Sequence, residues 1–233
     1  MRWTPYAQSR VLTFNDIPDE YHGHRMEPGP RYHRFAAALL ARLTDSYGDR
    51  GADAGHRLVQ SAWHLRYAGV GLEMHRIAPS ISPALNEDDQ FVYLSGFQLT
   101  ATSAVAAVDL GAAALAYLAG GAQREPDLRQ LASSSMDGLS PAQREWVQTT
   151  NAMPDVNRFT DVRNALVHRH VPTSVTIRIG GTPSYSIRVS EVDHEIAVDP
   201  SAAYERAVDR FVALGRVLLA DIDETQAEAS GEG

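Results

Sequence analysis

The sequence predicts a mainly α-helical bundle with one small antiparallel β insertion near its C-terminal end. Two observations carry this. Apolar residues recur at three- and four-residue spacing along most of the chain between Pro30 and Ile222, and the period changes to two only within residues 173–198. A third bears on size: 233 residues at 44% hydrophobic and 21% charged suit a single domain with a sizeable core.

Residues 1–29 mix Pro, Gly, His and aromatic residues without a period, which predicts an extended arm. Pro30 suits a first helical turn, and Phe35, Leu39, Leu40 and Leu43 continue a helix to Tyr47-Gly48. A second helix is expected from about Asp53 to Arg76. Leu58, Ala62, Leu65 and Leu72 form one stripe on it; Trp63, Tyr67, Val70 and Met74 form a neighbouring one, and both stripes read as core. After Pro79 to Pro83, the acids Glu87, Asp88 and Asp89 behind Asn86 favour a helix N-terminus, and the helix can run to Leu118 before Gly120-Gly121. Its Ala, Ser, Thr and Gly content permits close approach by a neighbour. Shorter helices are expected over Glu125 to Ser134 and Ser140 to Asn151. Val156, Phe159, Val162 and Leu166 mark another helix, stopped at Val171-Pro172.

Val175, Ile177 and Ile179, then Tyr185, Ile187 and Val189, alternate with polar residues around Gly180-Gly181-Thr182-Pro183, as in a hairpin; Glu195 to Val198 offers a third strand. Asp199-Pro200 opens a last helix with Tyr204, Val208, Phe211, Leu214, Leu218 and Ile222 on one stripe. The domain is therefore expected over 30–223, followed by a flexible acidic tail at 224–233.

All 21 basic residues are Arg, as coding bias in a GC-rich genome produces; 29 residues are acidic and the net charge is −8. Protonating all nine His would bring the net charge to +1. This balance excludes a protein that coats nucleic acid. It leaves room for a local phosphate grip, because Val156 to Ser190 holds five Arg against one Asp, a net of +4. Without Cys there is no disulfide, thiolate metal site or Cys nucleophile. Met1 to Arg10 lacks the apolar core of a signal peptide, and the uncharged run Gln90 to Val108 contains too many Gln, Ser and Thr for lipid. A soluble, cytoplasmic protein without membrane contact is expected.

The run richest in chemistry is Asp161-Val162-Arg163-Asn164-Ala165-Leu166-Val167-His168-Arg169-His170. On a helix Asp161, Asn164 and His168 share one polar face, and Arg163 has the reach to join its edge. A guanidinium, an amide and an imidazole together are sufficient in kind to cleave RNA without a metal. The imidazole moves a proton of the 2′-hydroxyl or of the leaving oxygen, and Arg stabilises charge growing on phosphorus.

Arg163-Asn164-Ala165-Leu166-Val167-His168 resembles the Arg-polar-X3-His signature of the HEPN superfamily, whose motif sits late in an all-helical bundle. Beyond this six-residue motif, the resemblance covers helix order only. It implies a HEPN-like bundle and a homodimer in which two motif helices adjoin, forming a composite site for metal-independent endoribonuclease action with a 2′,3′-cyclic phosphate product. It further implies a toxin or antiviral-defence role, with an antitoxin or other protein partner. By position, Arg163 and His168 would be catalytic and Asn164 would orient them. In one branch, paired with nucleotidyltransferases, a Tyr stands two residues after the His. Here that residue is His170, which itself satisfies an Arg-x6-His spacing and is a second imidazole candidate beside the auxiliary Arg169 and Asp161. The other reading of the same residues is a non-catalytic module that binds a nucleotide, RNA or protein.

Arg178 and Arg188, on the polar face of the hairpin, are candidate phosphate contacts because the hairpin directly follows the motif helix. Asp109, mid-way along the Ala-rich helix, reads as the partner of a buried Arg or a group at a helix seam. His22-x-His24 and His168-x-His170 are each half of a metal site without a spaced third ligand, so no metal is expected. Gly69-Val70-Gly71 lacks the remaining spacing of a nucleotide loop, and no cofactor is expected.

Overall fold

The computed structural model describes residues 28–81, 87–120, 125–168, 175–177, 185–187, 196–197 and 199–230, with side chains described for 32–76, 92–120, 125–164 and 199–227. It is mainly helical. The helices are α1 (Pro28–Tyr47), α2 (Asp49–Ile81), α3 (Glu87–Leu118), α4 (Leu128–Ala132), α5 (Pro141–Asn151), α6 (Pro154–His168) and α7 (Pro200–Ser230). Between α6 and α7, Val175–Ile177 (β1), Tyr185–Ile187 (β2) and Ile196–Ala197 (β3) pair antiparallel in the order β1-β2-β3, with Thr176 opposite Ser186 and Ile187 opposite Ile196. The segments joining these strands, and residues 1–27 of the arm expected over 1–29, lie outside the described residues, while Pro28 and Gly29 already belong to α1.

The helix α3 is the centre of the bundle. α2 runs along it for most of its length, α1 covers α2, and α6 and α7 pack on α3. Phe97, Ala101, Ala104, Val105, Val108, Ala112 and Leu115 are all buried, because a helix apolar on all sides must be wrapped by others. Among the described residues α3 holds one span, Val92–Leu118, long and apolar enough to cross a membrane, and 67% of its most apolar 18-residue stretch is buried inside the protein.

The α2–α3 seam is close because it is built from small residues. A Cβ on Gly71 would stand 2.7 Å from the Gly96 carbonyl oxygen and from the Thr100 nitrogen. The hydroxyls buried at the seam donate to backbone carbonyls: Thr100 to Gly96 (2.8 Å) and Ser61 across to Ala107 (2.8 Å). No polar hydrogen at these positions is left without an acceptor.

The short helices are set by their caps. Asp127 accepts from the Gln130 amide and Gln130 reaches back, and Ser140 and Gln143 repeat the arrangement at α5. On α7, Phe211, Leu214, Leu218 and Ile222 are buried, as the stripe predicts.

Two expectations need correction. Helix α7 continues to Ser230, so the residues from 224 begin as helix and not as a flexible tail. Glu224 to Ala227 are exposed, and their Ala, Glu and Gln content holds a helix that buries nothing there. Trp63 and Tyr67 do not belong to the core either: they are 42% and 48% exposed. The neighbouring helices already cover the Leu58, Ala62, Leu65 and Leu72 face of α2, and the second stripe is only partly covered, with Val70 and Met74 half-buried and His33 of α1 against the Trp63 ring.

Candidate functional site

The helix α6 buries Val156, Phe159 and Val162 against the bundle, and this fixes its rotation. Arg163, the next residue, is carried to the α3 side, where its Nη2 donates to Asp109 Oδ2 at 2.8 Å. The two side chains are only 24% and 21% exposed. The other carboxylate oxygen of Asp109 accepts from the backbone N–H of Leu128, at the start of α4 (3.1 Å). One carboxylate thus ties the motif helix to α3 and to α4. Burial pushes its pKa above the ordinary 3.8, while the Leu128 amide and the Arg163 guanidinium pull it back.

Arg163 and Asp109 line a cavity of about 440 Å³ whose wall also includes His64 from α2, Thr102 and Ser103 from α3, and Glu125 and Asp127 before α4. Each carboxylate around the cavity has a partner. Glu125 is paired with Arg57, which also stacks on Tyr117 (5.1 Å), and Asp127 caps α4 through the Gln130 amide (2.8 Å). Two buried nitrogens at the cavity have no hydrogen-bond partner, Arg163 Nε and His64 Nδ1. Burial lowers the His64 pKa below its ordinary 6.5, which leaves the imidazole neutral at pH 7 and able to accept a proton.

Of the other residues singled out by sequence, Asp161 turns away from Arg163. Asp161 is exposed and pairs with Arg129 of α4 at 2.9 Å, so it braces α6 and does not face the cavity residues. Arg129 also holds the Asn157 carbonyl (3.1 Å), a second tie between α4 and α6. Asn164 is half-buried. His168 closes α6, about 7.5 Å along the axis and about 140° around it from Arg163. The His168 side chain, and Arg169, His170, Arg178 and Arg188, lie outside the described residues.

The expected partnership of Asp109 with an Arg is present, whereas His64 was not legible in the sequence. It sits 99 positions before Arg163, between core residues Ala62 and Leu65, and only the antiparallel run of α2 along α3 brings it to the cavity. No group of three or more His, Asp or Glu side chains that could hold a metal ion occurs among the described residues. Comparisons with protein-family models, with curated proteins and with solved structures find no match to this chain.

Proposed function

We propose that the protein is a metal-independent endoribonuclease of HEPN type, acting as a homodimer across the α6 helices, in a toxin or defence setting. The observation that carries the reading is a motif Arg, half-buried and held by Asp109, at a cavity that also presents a neutral imidazole. In the proposed reaction an imidazole takes the 2′-hydroxyl proton and the 2′-oxygen bonds to phosphorus. The bond from phosphorus to the 5′-oxygen breaks, and the leaving oxygen receives a proton. Arg163 stabilises the charge on the phosphoryl oxygens. His168 is the imidazole assigned by the motif, and His64 is the one that lines the cavity. Asn164, one residue from Arg163 and in line with position 168 on the helix, orients them, and His170, Arg169, Arg178 and Arg188 are the proposed further contacts to a bound strand.

The test is cleavage of a labelled RNA in EDTA by the full chain, with detection of a 2′,3′-cyclic phosphate end. His168→Ala and Arg163→Ala each reduce the rate roughly 100- to 10,000-fold with fold and dimer intact. Undiminished cleavage by His168→Ala removes the assignment. One observation favours a second reading, a non-catalytic binding module: Asp109 already occupies an Nη of Arg163, and three carboxylates surround that single Arg in the cavity. That reading predicts saturable RNA or nucleotide binding that is lost in Arg163→Ala, with no product from any RNA.

A further inference from the structure

Helix α2 carries a stripe that the described helices leave largely exposed. His56, Gln60, Trp63 and Tyr67 follow one another at helical spacing on its open face, and Arg66 lies beside them, exposed. Trp63 and Tyr67 are the exposed large hydrophobic side chains of the described residues, at 42% and 48%. Their surroundings are aromatic and cationic. The Arg66 guanidinium lies over the Trp63 ring at 5.6 Å, His33 of α1 meets the ring edge-on at 4.4 Å, and the Tyr67 ring follows at 6.3 Å. The stripe continues into the cavity through His64, whose ring meets Tyr67 edge-on at 6.1 Å.

Charge distinguishes the kind of partner. In a chain of net charge −8, residues 54–72 contain no acid, while they hold Arg57, Arg66, His56 and His64. Arg57 is spent on Glu125; Arg66 has no carboxylate partner among the described residues. Exposed aromatic rings beside an uncommitted guanidinium, with local acids removed, suit a polyanion that also offers flat apolar faces. Single-stranded nucleic acid has both properties, since bases stack on the rings and phosphates meet the cation.

We infer that the Trp63–Tyr67 stripe of α2 stacks the bases of single-stranded RNA and leads the strand to the Arg163 cavity. The inference takes the polymer from the reading above and adds the place where it is held. It is tested by binding, not cleavage, with a 2′-O-methyl RNA about ten nucleotides long, which lacks the attacking hydroxyl. Titration of the full chain quenches tryptophan fluorescence. Trp63→Ala and Tyr67→Ala each weaken binding roughly 5- to 100-fold, as loss of one stacked base does, with circular dichroism and sedimentation unchanged. Trp63→Phe retains most of the affinity and loses most of the quenching.

Wild-type affinity in both Ala variants, or quenching that persists in Trp63→Phe, overturns the inference. So does a shift of either Ala variant to a smaller assembly, which assigns the stripe to a contact between copies of this chain. Failure of cleavage with these binding effects present removes the nuclease reading and leaves the stacking surface standing. Cleavage by wild type with no effect of the stripe variants on binding does the reverse.

Discussion

Replacing Asp109 separates its two duties. In Asp109→Asn the side-chain oxygen still accepts from Leu128, but the charge opposite Arg163 is gone and an amide N–H donor faces another donor. With both partners only about a quarter or a fifth exposed, the cost lies between a surface pair, about 0–1 kcal/mol, and a broken buried pair, about 3–5 kcal/mol. About 2 kcal/mol is the expected loss. Asp109→Ala also leaves the Leu128 amide, bonded at 3.1 Å, without its acceptor. That adds about 1 kcal/mol, the low end for an unsatisfied group, because the cavity admits solvent. Urea denaturation followed by circular dichroism gives both values, and a double-mutant cycle with Arg163→Met should return a coupling of about 1–2 kcal/mol. If Asp109→Asn lies within about 0.5 kcal/mol of wild type and the cycle shows no coupling, Asp109 does not hold Arg163 at the cavity.

Two further predictions concern the α2–α3 seam. His75 is 3% exposed, stacks on Tyr93 at 3.9 Å, and its Nδ1 lies 3.1 Å from the Tyr93 carbonyl oxygen, which makes Nδ1 the protonated nitrogen of the neutral ring. Burial lowers its pKa from 6.5 to about 4, with Arg76 adding to the fall and Asp199 opposing it. Between those values the unfolded chain binds the proton that the folded one refuses. Stability from this residue is therefore complete above pH 6.5 and falls by up to about 3 kcal/mol as pH drops towards 4. His75→Phe keeps a ring against Tyr93 and should flatten that part of the urea-stability profile; an unchanged slope relative to wild type counts against burial as its source. Two glycines two positions apart on α2 should respond in opposite directions. Gly71→Ala places a Cβ 2.7 Å from the Gly96 carbonyl oxygen and costs about 1–3 kcal/mol, while at Gly69 the Cβ meets only the Tyr204 ring at 3.5 Å and Ala gains up to about 1 kcal/mol of helix propensity. Melting temperatures that shift the same way in both variants contradict the seam geometry.

The helices were legible because each buries one face against neighbours and writes a period of about 3.6 into the sequence. The α3 start at Glu87, the α5 start at Pro141 and the α7 start at Pro200 coincide with cap residues or Pro that local chemistry alone favours. Which of two apolar stripes on α2 faces inward was not legible. Trp63 and Tyr67 repeat at the same spacing as Leu58 and Ala62, and periodicity records a face without naming the helix that covers it. The α7 end was misplaced for the complementary reason: acidic residues that bury nothing leave no periodic signal, yet their helix propensity sustains the backbone.

The mainly helical class, the order of the helices, the candidate motif from Arg163 to His168 and the concentration of Arg around it can all be read from the amino-acid order. These are local properties, set by spacing and residue type. Helix packing brings Arg163 to Asp109 across 54 residues, turns Asp161 to Arg129 and carries His64 into the same cavity. Those pairings depend on how helices are rotated and how closely they approach, and both are fixed by small residues at the α2–α3 seam and by the buried face of α6. A carboxylate on one helix has no sequence mark that names the guanidinium it will neutralise on another.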